Sequence, residues 1–377
     1  MLKLLISCFF VFLCCACVPN GAIEDKLDYQ YKTGTLEIVS NIILGENDLF
    51  NPSSAHLTFK KCGSFYGFIS QGGDIRFYDD KGKRRFLFKK NSLDHHYEFP
   101  SGLPRAFDLD PDLMILSLIF PESDEIIEVD TTGNILNRIL LKIPEEFAAM
   151  SFPQLSRDNS RGIIHVTLGH KDSDLDQNAF FKSSPIISQF TNGGDYVRSM
   201  GQYPIEYSNS GKFKSGNAFT YFRHVYIDGG HFFAYDITGD IEHYNNDGTQ
   251  FESIKLRASQ RNYRFDPSKI SHFSSELPEF ATNDINYFLS KNKSQDIFYM
   301  GIQKLRKEHG NKDTFLVRFN RDSSIISEVN LTETFGVAYH AMLPAIIEND
   351  TLDFFLASPF AEEVRVVRAI LKTEIND

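Results

Sequence analysis

At 377 residues and 43.1 kDa, the chain has room for two or three average domains or for one large all-β domain. Hydrophobic residues make up 42% and charged residues 24%, which excludes a globally disordered chain. The net charge of −11 excludes the basic face that a phosphate backbone requires, so nucleic acid is not expected as a partner; 35 Phe and 16 Tyr, with no Trp, suit pleated, half-buried surfaces.

The first element is an address. Lys3 precedes a 12-residue apolar run, Leu4 to Cys15, which is short for a bilayer span and right for a signal-peptide core. Ala16 and Cys17 follow, then the loop-like "VPNGAIED". This segment resembles a bacterial lipoprotein signal, although Cys14 stands where such signals usually carry Leu. The resemblance implies a signal peptide over 1–16, a lipid on Cys17, a linker over 17–33 and attachment to a membrane of the cell envelope, the outer membrane being the one implied. An ordinary secretory signal is the alternative. Apart from the signal and Cys17, the sequence holds one cysteine, Cys62, so no internal disulfide is expected.

Beyond the linker stands a strand-like stretch without a partner of its own, "GTLEIVSNII" from Gly34 to Ile43. From there two kinds of turn alternate along the chain. The first kind reads Asp79-Asp80-Lys81-Gly82, Asp130-Thr131-Thr132-Gly133, Thr191-Asn192-Gly193-Gly194, Asn245-Asn246-Asp247-Gly248 and Asn320-Arg321-Asp322-Ser323. Asp or Asn opens such a turn by bonding its own backbone, and Gly takes the positive-φ position near its end. The second kind feeds an apolar strand each time, as in "KKCGSFYGFI" from Lys60, "DPDLMILSLI" from Asp110 and "IDGGHFFAYD" from Ile227.

One unit therefore reads as four strands, the period of a propeller blade. The expected architecture is an all-β, six-bladed β-propeller with four-stranded blades over residues 34–373. The sixth unit runs out one strand short, at "EVRVVRAILK". Gly34–Ile43 is expected to lie beside Val364–Leu371, completing the last blade and removing an open edge. Segments 170–183, 205–222 and 258–284 read as polar, poorly periodic loops, where binding residues tend to sit.

Turns such as Asp110-Pro111-Asp112 and Ser156-Arg157-Asp158-Asn159 resemble the "SPDG" turn of TolB-like propellers. With its signal, the whole chain is similar to bacterial six-bladed β-propeller lipoproteins of unknown function. The Gly of that turn is Leu113 in one copy and Asn159 in another.

Motifs for chemistry are sparse. No HExxH, GxSxG, Walker-type loop or CxxC occurs, which weakens metalloprotease, esterase, nucleotide and zinc-ribbon readings. Asp172, Asp174 and Asp176 offer alternate oxygen ligands of the type Ca²⁺ prefers. Gln177 and Ser183 stand where a calcium loop wants Gly and Glu, so solvated loop carboxylates are the preferred reading and no cofactor is required.

Position in the blade gives the better inference. The first strand of a blade lines the central channel, so polar residues at its start face the axis. Aligning the units places His56, Arg105, Gln154, Arg223, His224, Asn286 and His340 there. Such a ring reads either as a site for a small ligand or as a water-filled lining that satisfies strand ends. Arg105 and Arg223 are the residues suited to a carboxylate. The expected function is a binding or interaction module for a small molecule, glycan or protein partner. The alternative is a propeller enzyme, a hydrolase or lyase with its site at the axial mouth.

Overall fold

The computed structural model describes residues 30–44, 58–89, 99–171, 177–210, 222–254, 285–305, 312–346 and 351–373, less 71–72, 101, 151–152, 228, 237, 239, 293–294, 323–324, 337–339 and 358–363. After the N-terminal strand β1 (Gln30–Leu44), the first four-stranded sheet is β2 (Lys60–Cys62), β3 (Phe65–Ile69), β4 (Ile75–Tyr78) and β5 (Arg84–Phe88). The second is β6 (Ala106–Asp110), β7 (Ile115–Phe120), β8 (Glu125–Val129) and β9 (Ile135–Leu140).

In the third sheet the first position is split between β10 (Phe147–Ala149) and β11 (Leu155–Asp158). Both pair with β12 (Ile163–His170), and β13 (Pro185–Thr191) and β14 (Tyr196–Gln202) follow. The fourth is β15 (Phe222–Ile227), β16 (Gly230–Tyr235), β17 (Ile241–Asn245) and β18 (Gln250–Ile254). The other strands are β19 (Ile285–Lys291), β20 (Ile297–Leu305), β21 (Lys312–Asn320), β22 (Ile325–Asn330), β23 (His340–Ile346), β24 (Thr351–Ala357) and β25 (Val364–Thr373). They share one eight-stranded sheet with β1, ordered β19-β20-β21-β22-β1-β25-β24-β23.

The fold is all-β, a propeller-like ring of sheets, but its sheets are not the six separate ones that the sequence predicts. Four are separate, and the last is a fusion of eight strands. The reason lies in the length of β1. Gly34–Leu44 runs antiparallel to Val364–Thr373, the pairing expected for the N-terminal strand. Its first residues, Gln30–Thr33, continue alongside Ile325–Glu328 in parallel and so join β22 to β25.

The first strands of the sheets adjoin one another around the centre: β23 lies next to β2, β2 next to β6, β6 next to β11, β15 next to β19, and β19 next to β23. Second strands are buried on both faces, and alternate side chains serve opposite neighbours. On β16, Phe233 and Tyr235 enter the cluster shared with the third sheet, while Phe232 and Ala234 enter the cluster shared with β20 and β21. On β24, Phe354 packs toward β20–β22 and Phe355 toward the first sheet. Each fully buried Phe contributes on the order of 1.5–3 kcal/mol. This is why the second-strand runs are predominantly apolar.

Two stretches that read as loops contain helices, α1 (Gln177–Ser183) and α2 (Ile205–Ser210). Neither is long enough to be stable alone. Phe180 and Phe181 of α1 and Tyr207 of α2 are buried in the aromatic cluster between the third and fourth sheets, together with Tyr203 and Tyr235. Tertiary packing therefore supplies what local propensity lacks.

The recurring turn is the same device four times. The amides of Gly82, Gly133, Gly194 and Gly248 donate to the carbonyls of Asp79, Asp130, Thr191 and Asn245, and all four glycines have positive φ. A register shift accompanies each, with one extra residue on the strand that follows the turn, as a bulge next to such a turn provides. In three sheets the turn also lies against the outer strand of its neighbour, and in two of them the approach to its backbone is close. A Cβ at Gly194 would meet the Leu140 carbonyl oxygen at 2.1 Å, and one at Gly82 would meet that of Ile43 at 2.1 Å. Gly133 has nothing within 4 Å of that position among the described residues.

Gly133→Ala should therefore cost about 1–2 kcal/mol, for its positive φ alone. Gly194→Ala should cost a further ~1–3 kcal/mol, because backbone must move. Urea midpoints of the two variants test this; equal losses would show that the contact between turn and neighbouring strand carries no weight.

Candidate functional site

Polar side chains on the inner strands converge across the first four sheets. From β2, Lys60 Nζ reaches the Leu155 carbonyl oxygen at 2.5 Å and Asp108 Oδ1 at 3.3 Å. Asp108, on β6, also accepts from the Arg157 amide at 3.0 Å. One lysine thus ties together the first strands of three sheets. The guanidinium of Arg157 turns outward to Glu128, to Ser117 Oγ at 3.0 Å and to Asn192 Oδ1 at 3.0 Å.

A second network lies between the third and fourth sheets. Gln154 Oε1 is 3.0 Å from His224 Nδ1, and His224 Nε2 is 2.9 Å from His231 Nδ1. With Gln154 Oε1 as acceptor, His224 donates from Nδ1 and accepts from His231 at Nε2. Nε2 of His231 is then a bare acceptor, and it has no hydrogen-bond partner among the described residues although the residue is fully buried. The rings of His165 and Tyr226 lie 4.6 and 4.7 Å from that of His231. Tyr226 donates to Asp158 Oδ2 at 2.5 Å, and Ser156 Oγ is 3.5 Å from His165 Nδ1.

These surroundings keep the three histidines neutral. Burial lowers the pKa of His165 to about 4. Burial, then the proximity of His165 and Lys60, lowers that of His224 to about 3. Burial and the three neighbouring histidines, His224, His165 and His243, hold His231 lower still. Burial works against the Asp158 carboxylate, yet Ser160, Tyr226 and the Arg161 amide together hold its pKa below the usual value. Burial also raises the Tyr226 phenol well above its ordinary range, and the adjacent Asp158 adds to this.

Of the residues expected on the axis, Gln154 and His224 are brought together. Arg105 precedes β6 and is partly exposed, 3.9 Å from Glu122 Oε1. Arg223 directs Nη1 to the Phe222 carbonyl at 2.7 Å. Each of these arginines thus has a local oxygen partner. Asn286 and His340 lie on β19 and β23, both first strands. His56, Cys17, and Asp172, Asp174 and Asp176 with their suggested Ca²⁺ lie outside the described residues. Among the described residues, no group of three His, Cys, Asp or Glu is placed to hold a metal ion.

Sequence reasoning missed Lys60, His165 and His231. His165 and His231 sit on second strands inside apolar runs, "IIHVTLGH" and "GHFFAY". The available signal was a single ring of polar character where both strand faces are buried.

No helix among the described residues is long and apolar enough to cross a membrane. No protein-family model and no curated protein matches the sequence. The structure is similar to that of a DUF4221 family member from Bacteroides vulgatus, with a TM-score of 0.60 and 11% identity over 93% of this chain and all of the other. It is also similar to an exported protein of Bacteroides fragilis, with a TM-score of 0.53 and 9% identity over 90% of this chain and 95% of the other. At such identities the likeness is one of fold, and the fold is that of a β-propeller-like ring shared with DUF4221 proteins.

Proposed function

We propose that the protein is an exported six-bladed propeller, lipid-anchored through Cys17, that holds a ligand at its inner strands without transforming it. Support for six units comes from the apolar clusters: among the described residues, six of them join consecutive units around the ring. On this reading β19–β22 are the fifth blade, and β23–β25 with β1 are the sixth. The signal-like N-terminus supports export, and the exported Bacteroides protein of the same fold is consistent with it. The outer membrane and a closer tie to TolB-like propellers remain parts of this proposal that rest on the sequence resemblance.

One observation favours binding over catalysis. Histidine is the side chain that ordinarily titrates near neutrality, and general acid–base catalysis works best with such a group. Here His165 and His224 are held neutral down to about 4 and about 3. The alternative, a hydrolase or lyase at the axial mouth, would have to rely on other groups.

A thermal-shift panel of peptides, glycans and small carboxylates, read on the wild type and on Lys60→Ala and Gln154→Leu, tests the proposal. A ligand present at 100 times its Kd stabilises by about 2.7 kcal/mol. The expected result is a shift in the wild type that both variants lose. Multiple turnover of any panel member would replace the binding reading with the enzymatic one.

A further inference from the structure

The first of the recurring hairpins carries a cluster of cations that the next three lack. Lys81, Lys83, Arg84, Arg85 and Lys89 are all exposed. Arg85 is matched by Asp79 at 2.7 Å, and Asp80 is the one exposed acidic residue between 79 and 89. The equivalent turns at 130–134, 191–195 and 245–249 contain no Lys or Arg. In a chain of net charge −11, this hairpin is a local reversal of sign.

Its position adds a second feature. Gly82, at the tip, lies against the carbonyl of Ile43, and so against the end of β1. That strand exposes Ile38, Val39 and Ile43, with Ile38 and Val39 about half exposed at 52% and 54%. Cations beside exposed aliphatics match a bilayer interface, where headgroup phosphates take the charge and the boundary region takes the apolar groups. The same strand is the one into which the N-terminal 29 residues lead, with their apolar run and Cys17.

We propose that the hairpin at 79–89 and the adjoining exposed side chains of β1 form a docking surface for an anionic bilayer. The inference extends the anchored reading, since a tether at Cys17 would raise the effective concentration of this surface at the membrane. The surface acts whether or not the tether is lipidated. Each basic residue at an anionic surface is worth roughly 5-fold in partitioning, and the effect is screened by salt.

The test is co-sedimentation of the full chain with vesicles of phosphatidylcholine alone and of phosphatidylcholine mixed with phosphatidylglycerol. The wild type should prefer the mixed vesicles, and added salt should abolish the preference. Lys81→Ala with Lys83→Ala should weaken binding to the mixed vesicles about 25-fold, and adding Arg84→Ala should bring the loss to about 100-fold. Unchanged melting temperatures confirm folding, and the double variant answers if the triple does not fold. Equal partitioning of the wild type into both vesicles, or a preference that survives the substitutions, overturns the proposal. So does capture of an acidic protein by a chain that shows no lipid preference. Cys17→Ser separates this inference from the anchor: losing the lipid should lower retention on both vesicle types alike and leave the charge preference in place.

Discussion

Asp353→Asn should destabilise the protein by about 3 kcal/mol, read from urea unfolding. The carboxylate is fully buried on β24 and receives four hydrogen bonds. Lys61 Nζ and Tyr66 OH approach Oδ2 at 2.7 Å, Arg368 Nε approaches Oδ1 at 2.7 Å, and Arg368 Nη2 reaches Oδ2 at 3.1 Å. Lys61 and Tyr66 belong to the first sheet, whereas Asp353 and Arg368 belong to the last. The carboxylate is therefore a polar latch across the seam where the ring returns to its start.

Burial opposes its ionisation, but Arg368, Lys61 and Tyr66 together hold its pKa below the ordinary carboxylate value. Its stabilising share is complete above the unfolded pKa and is lost as pH falls through the lower folded value. Removing the charge leaves two cations facing one another, although both keep some access to water, which puts the expected loss at the low end for a broken buried pair. The exposed pair Lys372–Glu37 is the control: Glu37→Gln should change stability by less than about 0.5 kcal/mol. Similar losses from both variants would show that the seam is not held by Asp353.

The second large effect is one of pH. His165 and His224, which ordinarily titrate near 6.5, are held to about 4 and about 3 in the fold, and His231 is held lower. In the unfolded chain all three take up protons near their ordinary value. The unfolded state thus binds more protons below pH 6.5, and stability falls as pH drops from there toward about 4. The combined slope of the three is up to about 4 kcal/mol per pH unit.

Other groups titrate over part of that range, so the informative quantity is a difference. His231→Phe removes the buried ring with the bare Nε2 and should flatten the slope by about 1.4 kcal/mol per pH unit. At pH 7 the variant loses the bond to His224, and by pH 5 it should have regained the difference. Parallel stability curves for wild type and variant would mean that His231 is protonated in the native state.

How much of this was legible in the sequence depends on distance along the chain. The turns at Asp79, Asp130, Thr191 and Asn245 were legible because their chemistry is local: a polar side chain bonds nearby amides and Gly supplies the positive φ. The pairing of β1 with β25 was legible as a count, one strand short at one end and one spare at the other. The extension of β1 onto β22 was not, because "QYKT" carries no apolar alternation.

Within the candidate site, Gln154 and His224 were reached from their place at the start of an inner strand. Lys60 was not, since its partners Asp108 and Leu155 lie 48 and 95 residues away and belong to other sheets. The short helices were also out of reach, because what holds them is the aromatic cluster they cap and not their own sequence.

The long first strand has a consequence for how the chain is made. Residues 34–44 leave the ribosome long before their partner, Val364–Thr373. Until the C-terminal strand arrives, β1 cannot complete its ladder, and its apolar residues have no place to go. Pairing across so much intervening chain is a slow step, and the unpaired strand is an aggregation hazard while it waits. For an exported chain that interval includes passage through a membrane, so folding would await delivery of both strands. A ring closed by two strands so far apart in the chain is thereby kept from closing before both have arrived.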